Sequence, residues 1–201
     1  MKRIIIPLLL VLTASCEILN DCPKLIMGKP DGHLVDDREL KTIKILFQAS
    51  DLPYENYQFY GLQSNMSGQY LVSCHQYVNN LKLWTGDLFF HFDKDGKYES
   101  LTGEIVSAID VGTSPSMDLS EVEARFLERV NDDRFYSNSK RVANGCMTCE
   151  LVYYDLAKMA GGSTPDYVLA WLVKPEKSDY PCAIVIDTDQ SVVSYNNGII
   201  Y

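Results

Sequence analysis

Histidine is scarce in this 201-residue sequence, which contains only His33, His75 and His91. None of the three is part of a His-Glu-x-x-His motif, so the signature of zinc-dependent proteases is missing. His91 stands between Phe90 and Phe92, and a single strand histidine with aromatic neighbours is typical of a structural residue rather than a metal ligand. We therefore expect no metal site and no cofactor.

Motifs for nucleophilic catalysis and phosphate binding are also missing. The sequence has no Gly-x-Ser-x-Gly, and its glycine-rich stretch at residues 161–165 has no lysine partner and follows no helix-start pattern. No segment supplies a nucleophile, a base and an orienting group together. We therefore expect a protein that is not an enzyme and has no catalytic residues.

Positive charge is low. The chain has 18 Lys and Arg against 27 Asp and Glu, which gives a formal net charge of −9. A chain this acidic is a poor partner for nucleic acid or for the anionic surface of a bilayer. The balance favours solubility and a partner with a basic surface.

No apolar run is long enough to span a membrane. The longest near the N-terminus, residues 4–12, follows Lys2 and Arg3 and is too short for a transmembrane helix. It ends in Leu-Thr-Ala-Ser-Cys16, which resembles a bacterial lipobox; the alternative is an ordinary signal peptide followed by a chance cysteine. We predict that residues 1–15 are a signal peptide, that Cys16 is acylated, and that the lipid anchors the mature protein to a membrane that the chain does not span.

The residues after Cys16 complete the prediction for the N-terminal region. Residues 16–36 contain prolines, glycines and scattered charges, which predicts a tether. The location that follows is the bacterial cell envelope, most simply the outer membrane. The residues directly after Cys16 do not indicate whether the protein faces the periplasm or the cell surface.

The stretch from residue 69 to residue 111 predicts three antiparallel strands. Residues 69–78 alternate in polarity, and the pair 79–80 is Asn-Asn, which tolerates positive φ in a tight turn. Residues 81–92 form the second predicted strand and residues 97–108 the third. The turn at residues 93–96, Asp-Lys-Asp-Gly, could begin a calcium loop, but the later ligands are missing and a hairpin turn is the better interpretation.

Helical periodicity occurs before and after this meander. Residues 37–50 repeat apolar positions every three to four residues, and a second helix starts after Asp118, with Glu121 completing a capping-box pattern. Short strands are predicted at residues 149–154, 167–173, 182–187 and 192–195. The fold class is therefore α+β, in two halves (37–112 and 113–201) that each pack a helix on an antiparallel sheet. The apolar stripe expected in the second core consists of Leu119, Val122, Phe126, Leu127 and Val130.

The order of short motifs resembles the propeptides of thermolysin-like and fungalysin-like metalloproteases. Those motifs are Tyr77-Val-Asn-Asn-Leu-Lys-Leu, Gly86-Asp-Leu, His91-Phe-Asp-Lys-Asp-Gly-Lys and Gly103-Glu-Ile-Val. Asn80 and Lys82 depart from the Gly and Pro of the family. Later segments resemble the PepSY module that ends such propeptides: Pro115-Ser-Met-Asp-Leu-Ser-Glu, Tyr167-Val-Leu-Ala-Trp-Leu-Val and Ala183-Ile-Val-Ile-Asp-Thr-Asp.

The resemblance implies a function. Such propeptides assist the folding of a metalloprotease and inhibit it by covering its cleft. It therefore implies a non-catalytic envelope lipoprotein, a protein-binding module that inhibits or chaperones a metalloprotease in trans. The alternative is a structural or accessory lipoprotein of an envelope assembly, in which the fold serves only as a scaffold.

Cys146-Met-Thr-Cys149 is the remaining motif with possible chemistry. A local disulfide, thiols that are free or paired elsewhere, and a metal or redox site are all open interpretations. A disulfide requires Cα atoms within about 7 Å, whereas residues three apart in an extended strand are about 10 Å apart. We therefore predict a Cys146–Cys149 disulfide only if residues 146–149 form a turn and the following strand begins at Glu150. If Cys16 is acylated, five cysteines remain, and at least one is unpaired within the monomer.

Overall fold

The computed structural model describes residues 22–135, 142 and 144–199, and it is an α+β fold. The predicted signal peptide and Cys16 lie outside the described residues. The helices are α1 (Asp37–Ala49), α2 (Leu119–Asp132) and α3 (Leu156–Met159). The strands are β1 (Lys24–Ile26), β2 (Tyr57–Ser64), β3 (Tyr70–Val78), β4 (Leu81–Leu83), β5 (Leu88–Phe92), β6 (Tyr98–Thr102), β7 (Met147–Asp155), β8 (Tyr167–Pro175), β9 (Cys182–Ile186) and β10 (Val192–Asn196).

All ten of these strands form one mixed sheet in the order β10-β9-β8-β7-β4-β3-β5-β6, with β2 also paired to β3 and β1 to β7. Within each half of the chain the long strands are antiparallel, as predicted. The two halves meet through a parallel pair, in which β4 lies beside β7. The predicted pair of small helix-on-sheet units is therefore present, and the two sheets are continuous.

The first half packs α1 on one face of β2, β3 and β5. The helix begins at the N-cap Asp36, whose carboxylate accepts from Glu39 N at 2.8 Å, while Asp36 N donates to the Glu39 side chain at 3.2 Å. This reciprocal pair satisfies backbone donors that a helix start otherwise leaves without partners. The core beneath the helix contains Ile43, Leu46, Phe47, Tyr57, Phe59, Val72, Cys74, Leu88, Phe90 and Phe92.

The second half packs α2 on β7, β8 and β9. Val122, Phe126 and Val130 are fully buried on the predicted apolar stripe, and they contact Leu151, Trp171 and their neighbours in the larger core. The opposite face of the same strands buries a smaller apolar cluster that includes Val152 and Tyr154. Strands β7 and β8 are therefore apolar on both faces, which is typical of the central strands of a covered sheet.

A buried carboxylate fixes the start of α2 against the end of β9. Asp187, only 3% exposed, accepts from the backbone N–H groups of Ser116 (2.7 Å) and Met117 (3.1 Å). It also accepts from the Ser116 hydroxyl (2.7 Å) and from the indole Nε1 of Trp171 (2.9 Å). Burial raises the pKa of Asp187, but these hydrogen bonds outweigh it and hold the pKa below its ordinary value. The sequence had placed Asp187 only at the end of the predicted strand 182–187.

The predicted second strand, residues 81–92, is wrong in one respect: it is two strands. β4 ends at Leu83, and Gly86 N donates to the Leu83 carbonyl at 3.1 Å, which closes a turn before β5. β4 pairs with the end of β3 on one side and with β7 on the other, while β5 pairs with residues 70–74 of β3. Alternation alone could not show this change of partner, because both strands are apolar.

The segment predicted as a tether is also different in the structure. Within residues 16–36, β1 pairs in parallel with β7, and Lys29 N donates to Asn80 Oδ1 at 3.1 Å. Leu34 N then donates to the carbonyl of Phe59 at 2.8 Å. The described part of this segment therefore lies along the sheet and does not behave as a linker. Its proline and glycine content predicted a linker. Irregular backbone can also pack on a fold, however, and composition does not distinguish the two cases.

Candidate functional site

The sheet of the first half has one face covered by α1, and the other face carries polar and aromatic side chains. The predicted alternation of β3 is confirmed here, since Val72 and Cys74 point into the core under α1. The opposite residues of β3 form cross-strand rows with β2 and β5. Those rows are Gln63–Leu71–His91, Gly61–Ser73–Phe89 and Gln58–His75. We call this surface the outer face.

A β-bulge sets the direction of one aromatic side chain on the outer face. The register of β2 against β3 shifts between Phe59 and Gly61, so Tyr60 is the extra residue. Bulges of this kind redirect side chains and increase the local twist. The Tyr60 ring consequently lies 4.4 Å from the imidazole ring of His75, centroid to centroid, with an angle of 31° between the planes.

Tyr60, His75 and Asp87 form a hydrogen-bonded cluster at one end of the outer face. His75 Nδ1 donates to Asp87 Oδ1 at 2.8 Å, and the Tyr60 hydroxyl donates to Asp87 Oδ2 at 3.2 Å. The side chains of His75 and Asp87 are 18% and 37% exposed. The cluster is therefore ordered by its own bonds and is still open to a molecule that docks on the face.

The electrostatics of the cluster favour an ionised Asp87. Burial raises the pKa of Asp87, but the hydrogen bond and charge of His75, the hydroxyl of Tyr60 and the charge of Lys82 outweigh it and lower the pKa. The same carboxylate acts in the other direction on its donor. Burial, followed by the charge of Asp87, raises the pKa of Tyr60 to about 12. At neutral pH the cluster therefore presents a carboxylate held by two ordered donors.

Gly103 follows β6 directly and packs closely against the backbone of Asp87. It has φ +103°, and a Cβ atom added there would lie 2.6 Å from the carbonyl oxygen of Asp87. Only glycine combines that backbone conformation with this close approach. Gly103 also explains why the third strand ends at Thr102 and not at the predicted residue 108.

A shallow groove lies at the other end of the outer face. It has a volume of about 300 Å³, and its lining includes Gln63, Leu71, His91 and Glu99. His91 Nε2 lies 3.1 Å from the Thr102 hydroxyl, so its imidazole is tied to the neighbouring strand. The structural role predicted for His91 agrees with this contact, although the residue faces the groove and not the core.

The hairpin turn after β5 satisfies its own carboxylate. Asp93 Oδ1 accepts from the backbone N–H groups of Asp95 (2.9 Å) and Lys97 (2.8 Å), and Gly96 has φ +78°. This is the hairpin turn that the sequence predicted in preference to a calcium loop. Among the described residues no group of three or more histidine, cysteine or carboxylate side chains could hold a metal ion.

The chemistry available to the Tyr60–His75–Asp87 cluster is recognition and proton exchange. The nearest cysteine in sequence, Cys74, points to the other side of the sheet into the core, where burial raises the pKa of its thiol. Covalent catalysis needs a nucleophile next to a base. The Cys74 thiol does not serve as this nucleophile for His75, because the two side chains lie on opposite faces of the sheet.

Sequence reasoning missed Tyr60 and Asp87 as partners of His75. Asp87 was part of the family-like Gly-Asp-Leu motif, but its contact with His75 depends on the break between β4 and β5. Tyr60 depends on the bulge, for which β2 gives no clear signal except Gly61. A cross-strand count from the Asn79–Asn80 turn, with the break in place, would have found the His75–Asp87 pair.

The predicted site residues lie elsewhere. Cys16 lies outside the described residues, so its acylation stays a prediction. For Cys146 and Cys149 the required turn is absent: β7 begins at Met147 and not at Glu150, and Cys149 is fully buried within it. The extended backbone separates the two side chains, because the core under α2 takes Cys149 while Cys146 precedes the strand.

Comparisons with known proteins extend the description. The fungalysin/thermolysin propeptide motif matches residues 63–105, which run from the end of β2 to just beyond β6 and include His75, Asp87 and Gly103. No curated protein matches the sequence. Among solved structures, the C-terminal domain of YpeB from Bacillus megaterium aligns with a TM-score of 0.42 and 7% identity, over 85% of this chain and 67% of that chain.

These findings define an α+β module that carries a metalloprotease-propeptide motif in its first half. The motif supplies most of the outer face. The likeness of residues 113–201 to a PepSY module stays a prediction. Within the residues that the structure describes, no helix has the length and apolar character needed to cross a bilayer.

Proposed function

We propose that this protein is a non-catalytic binding module of the bacterial cell envelope that binds a metalloprotease in trans and inhibits it or assists its folding. The observation that carries the proposal is the propeptide motif over residues 63–105, because these residues supply most of the outer face, including His75 and Asp87 of its cluster. A lipid on Cys16 would hold the module at the membrane, most simply the outer membrane.

The outer face has the properties of a contact surface. The aromatic and histidine side chains of the outer face are half-buried and lie beside polar side chains, a mixture that is common in protein interfaces. Hydrogen bonds fix His75 and Asp87 before any partner arrives, so binding would lose little side-chain entropy. The negative net charge of the chain favours a partner with a basic surface.

The test is a binding and inhibition assay. The purified protein is mixed with secreted and envelope metalloproteases of the bacterium that produces it, and complex formation and peptide hydrolysis are measured. We expect a stable complex and slower hydrolysis. His75→Ala removes the centre of the cluster and should weaken binding about tenfold or more, as for a central contact residue.

Matched variants separate the possible outcomes. Asp87→Asn removes the charge from the same cluster, whereas Asp189→Asn removes a charge from an exposed turn in the second half. Binding that both substitutions weaken equally would place the contact elsewhere on the protein. A protein that binds and inhibits none of the proteases, and copurifies instead with a membrane transporter, would favour the accessory-lipoprotein alternative.

A further inference from the structure

Cys22 and Cys146 are far apart in the sequence, and they meet where β1 and β7 begin. The two strands are parallel, with Lys24 opposite Thr148 and Leu25 opposite Cys149. Cys22 lies two residues before Lys24 and Cys146 lies two residues before Thr148, so both cysteines lie at the same end of the β1–β7 pair. Neighbouring strands are about 4.8 Å apart, and disulfides join Cα atoms roughly 4.4–6.8 Å apart.

The side chains agree with the register. A hydrogen bond with the Cys22 side chain is one cause of the raised pKa of Cys146, after burial, so the two thiols lie near each other. An ion pair between Lys24 and Glu176 links β1 to the loop after β8 beside them, and Glu176 N donates to the carbonyl of Cys146 at 2.9 Å. The backbone on both sides of the thiol pair is therefore held in position.

We propose that Cys22 and Cys146 form a disulfide bond that fastens the N-terminal segment to the sheet of the second half. Of the other three described cysteines, Cys149 lies nearest to this pair: burial, then the charges of Glu123, Cys22 and Cys146, raises its pKa, but its side chain is buried in the core under α2. Cys74 and Cys149 are buried in separate cores, and Cys182 starts β9, on the far side of β8 from β7. The bond replaces the Cys146–Cys149 pairing that the sequence suggested.

The chemistry is thiol–disulfide exchange with an external disulfide such as oxidised glutathione. Cys22 is exposed, and its thiolate attacks the oxidant to form a mixed disulfide with release of one thiol. Cys146 then attacks the Cys22 sulfur and releases the second thiol, so two protons and two electrons pass to the oxidant. Burial, followed by the hydrogen bond with Cys22, raises the pKa of Cys146 to about 11, which assigns the first attack to Cys22.

Methionine positions make the test direct. Cyanogen bromide cleaves after Met27, Met66, Met117, Met147 and Met159, and the cut at Met147 separates Cys146 from Cys149. The reduced full chain is exposed to oxidised glutathione, its remaining thiols are alkylated, and the fragments are identified by mass without reduction. We expect the fragment that ends at Met27 to be joined to fragment 118–147, and we expect Cys22→Ser to abolish the link.

A link between fragments 118–147 and 148–159 would show the Cys146–Cys149 bond and overturn the proposal. Complete alkylation of Cys22 and Cys146, a link to Cys74 or Cys182, or a link that survives Cys22→Ser would overturn it as well. Thermal unfolding supplies a second measurement. A bond that closes a loop on the order of 100 residues should raise the Tm by about 10 °C. Reductant should remove this increase in the wild type and in the control variant Cys182→Ser. It should have no effect on the Tm of Cys22→Ser, which cannot form the bond.

Discussion

Asp187→Asn should destabilise the protein severely, because asparagine has one acceptor oxygen in place of two. The asparagine side chain has nearly the same shape, so the substitution tests the hydrogen bonds and not the packing. Four donor contacts converge on the two oxygens of Asp187. The Ser116 hydroxyl keeps an alternative acceptor in the backbone carbonyl of Asp187, at 2.9 Å. The Ser116 N–H would instead face the new amide group without an acceptor.

The magnitude follows from these contacts. An unsatisfied buried donor costs about 1–3 kcal/mol, and each remaining bond loses its charge assistance. We expect the free energy of unfolding to fall by about 3 kcal/mol, which corresponds to a decrease of about 1–2 M in the urea midpoint. Asp189→Asn is the control, because Asp189 is an exposed residue of the same turn and its side chain accepts from Ser191.

The effect should also depend on pH with a defined sign. The pKa of Asp187 in the folded state lies below its ordinary value of 3.8, so the ionised carboxylate stabilises the fold above that pH. This stabilisation is lost as the pH falls through the folded-state pKa. Urea titrations at neutral pH and near pH 3 should therefore show the wild type and Asp187→Asn converging in acid. Equal urea midpoints for the two proteins at neutral pH would refute the reasoning.

Three further predictions concern other parts of the chain. Phe126→Ala should lower the free energy of unfolding by about 3–5 kcal/mol, because the ring is fully buried under α2; an unchanged thermal midpoint would contradict this packing. Gly103→Ala should destabilise the first half by about 1–3 kcal/mol, because the alanine would strain the backbone and its Cβ atom would crowd Asp87 O. Urea unfolding measures the loss of stability, and Gly112→Ala, at an exposed glycine with open space around it, is the control. Cys16→Ser should release the protein from membranes or stall its processing in a fractionation experiment, and a normally cleaved variant that stays fully membrane-bound would disprove anchoring through Cys16.

The sequence was most informative where local patterns decide the structure. The periodicity around Phe47 and Phe126 predicted both helices and their buried faces, and the Asn79–Asn80 pair predicted a turn that the structure forms with positive φ at both residues. These features depend on neighbours within a few residues. The α+β class followed from them.

Long-range pairing explains what could not be predicted. The parallel contact of β4 with β7, the docking of β1 and the bonds from Ser116 and Met117 to Asp187 each join segments dozens of residues apart. A hydrophobic pattern gives the face that a strand buries, but it does not give the strand's partner. The candidate site was predicted only in part for this reason: His75 was placed on the correct face, and its partners Tyr60 and Asp87 were not identified.

The docking of β1 also sets a distance from the bilayer. With a lipid on Cys16, a tether that ended at residue 36 would let the folded module move up to about 70 Å from the lipid surface. Strand β1 begins at Lys24, and a bond at Cys22 would leave only six residues, which span at most about 20 Å. The module would then reach only partners that are embedded in the same membrane or lie directly against it.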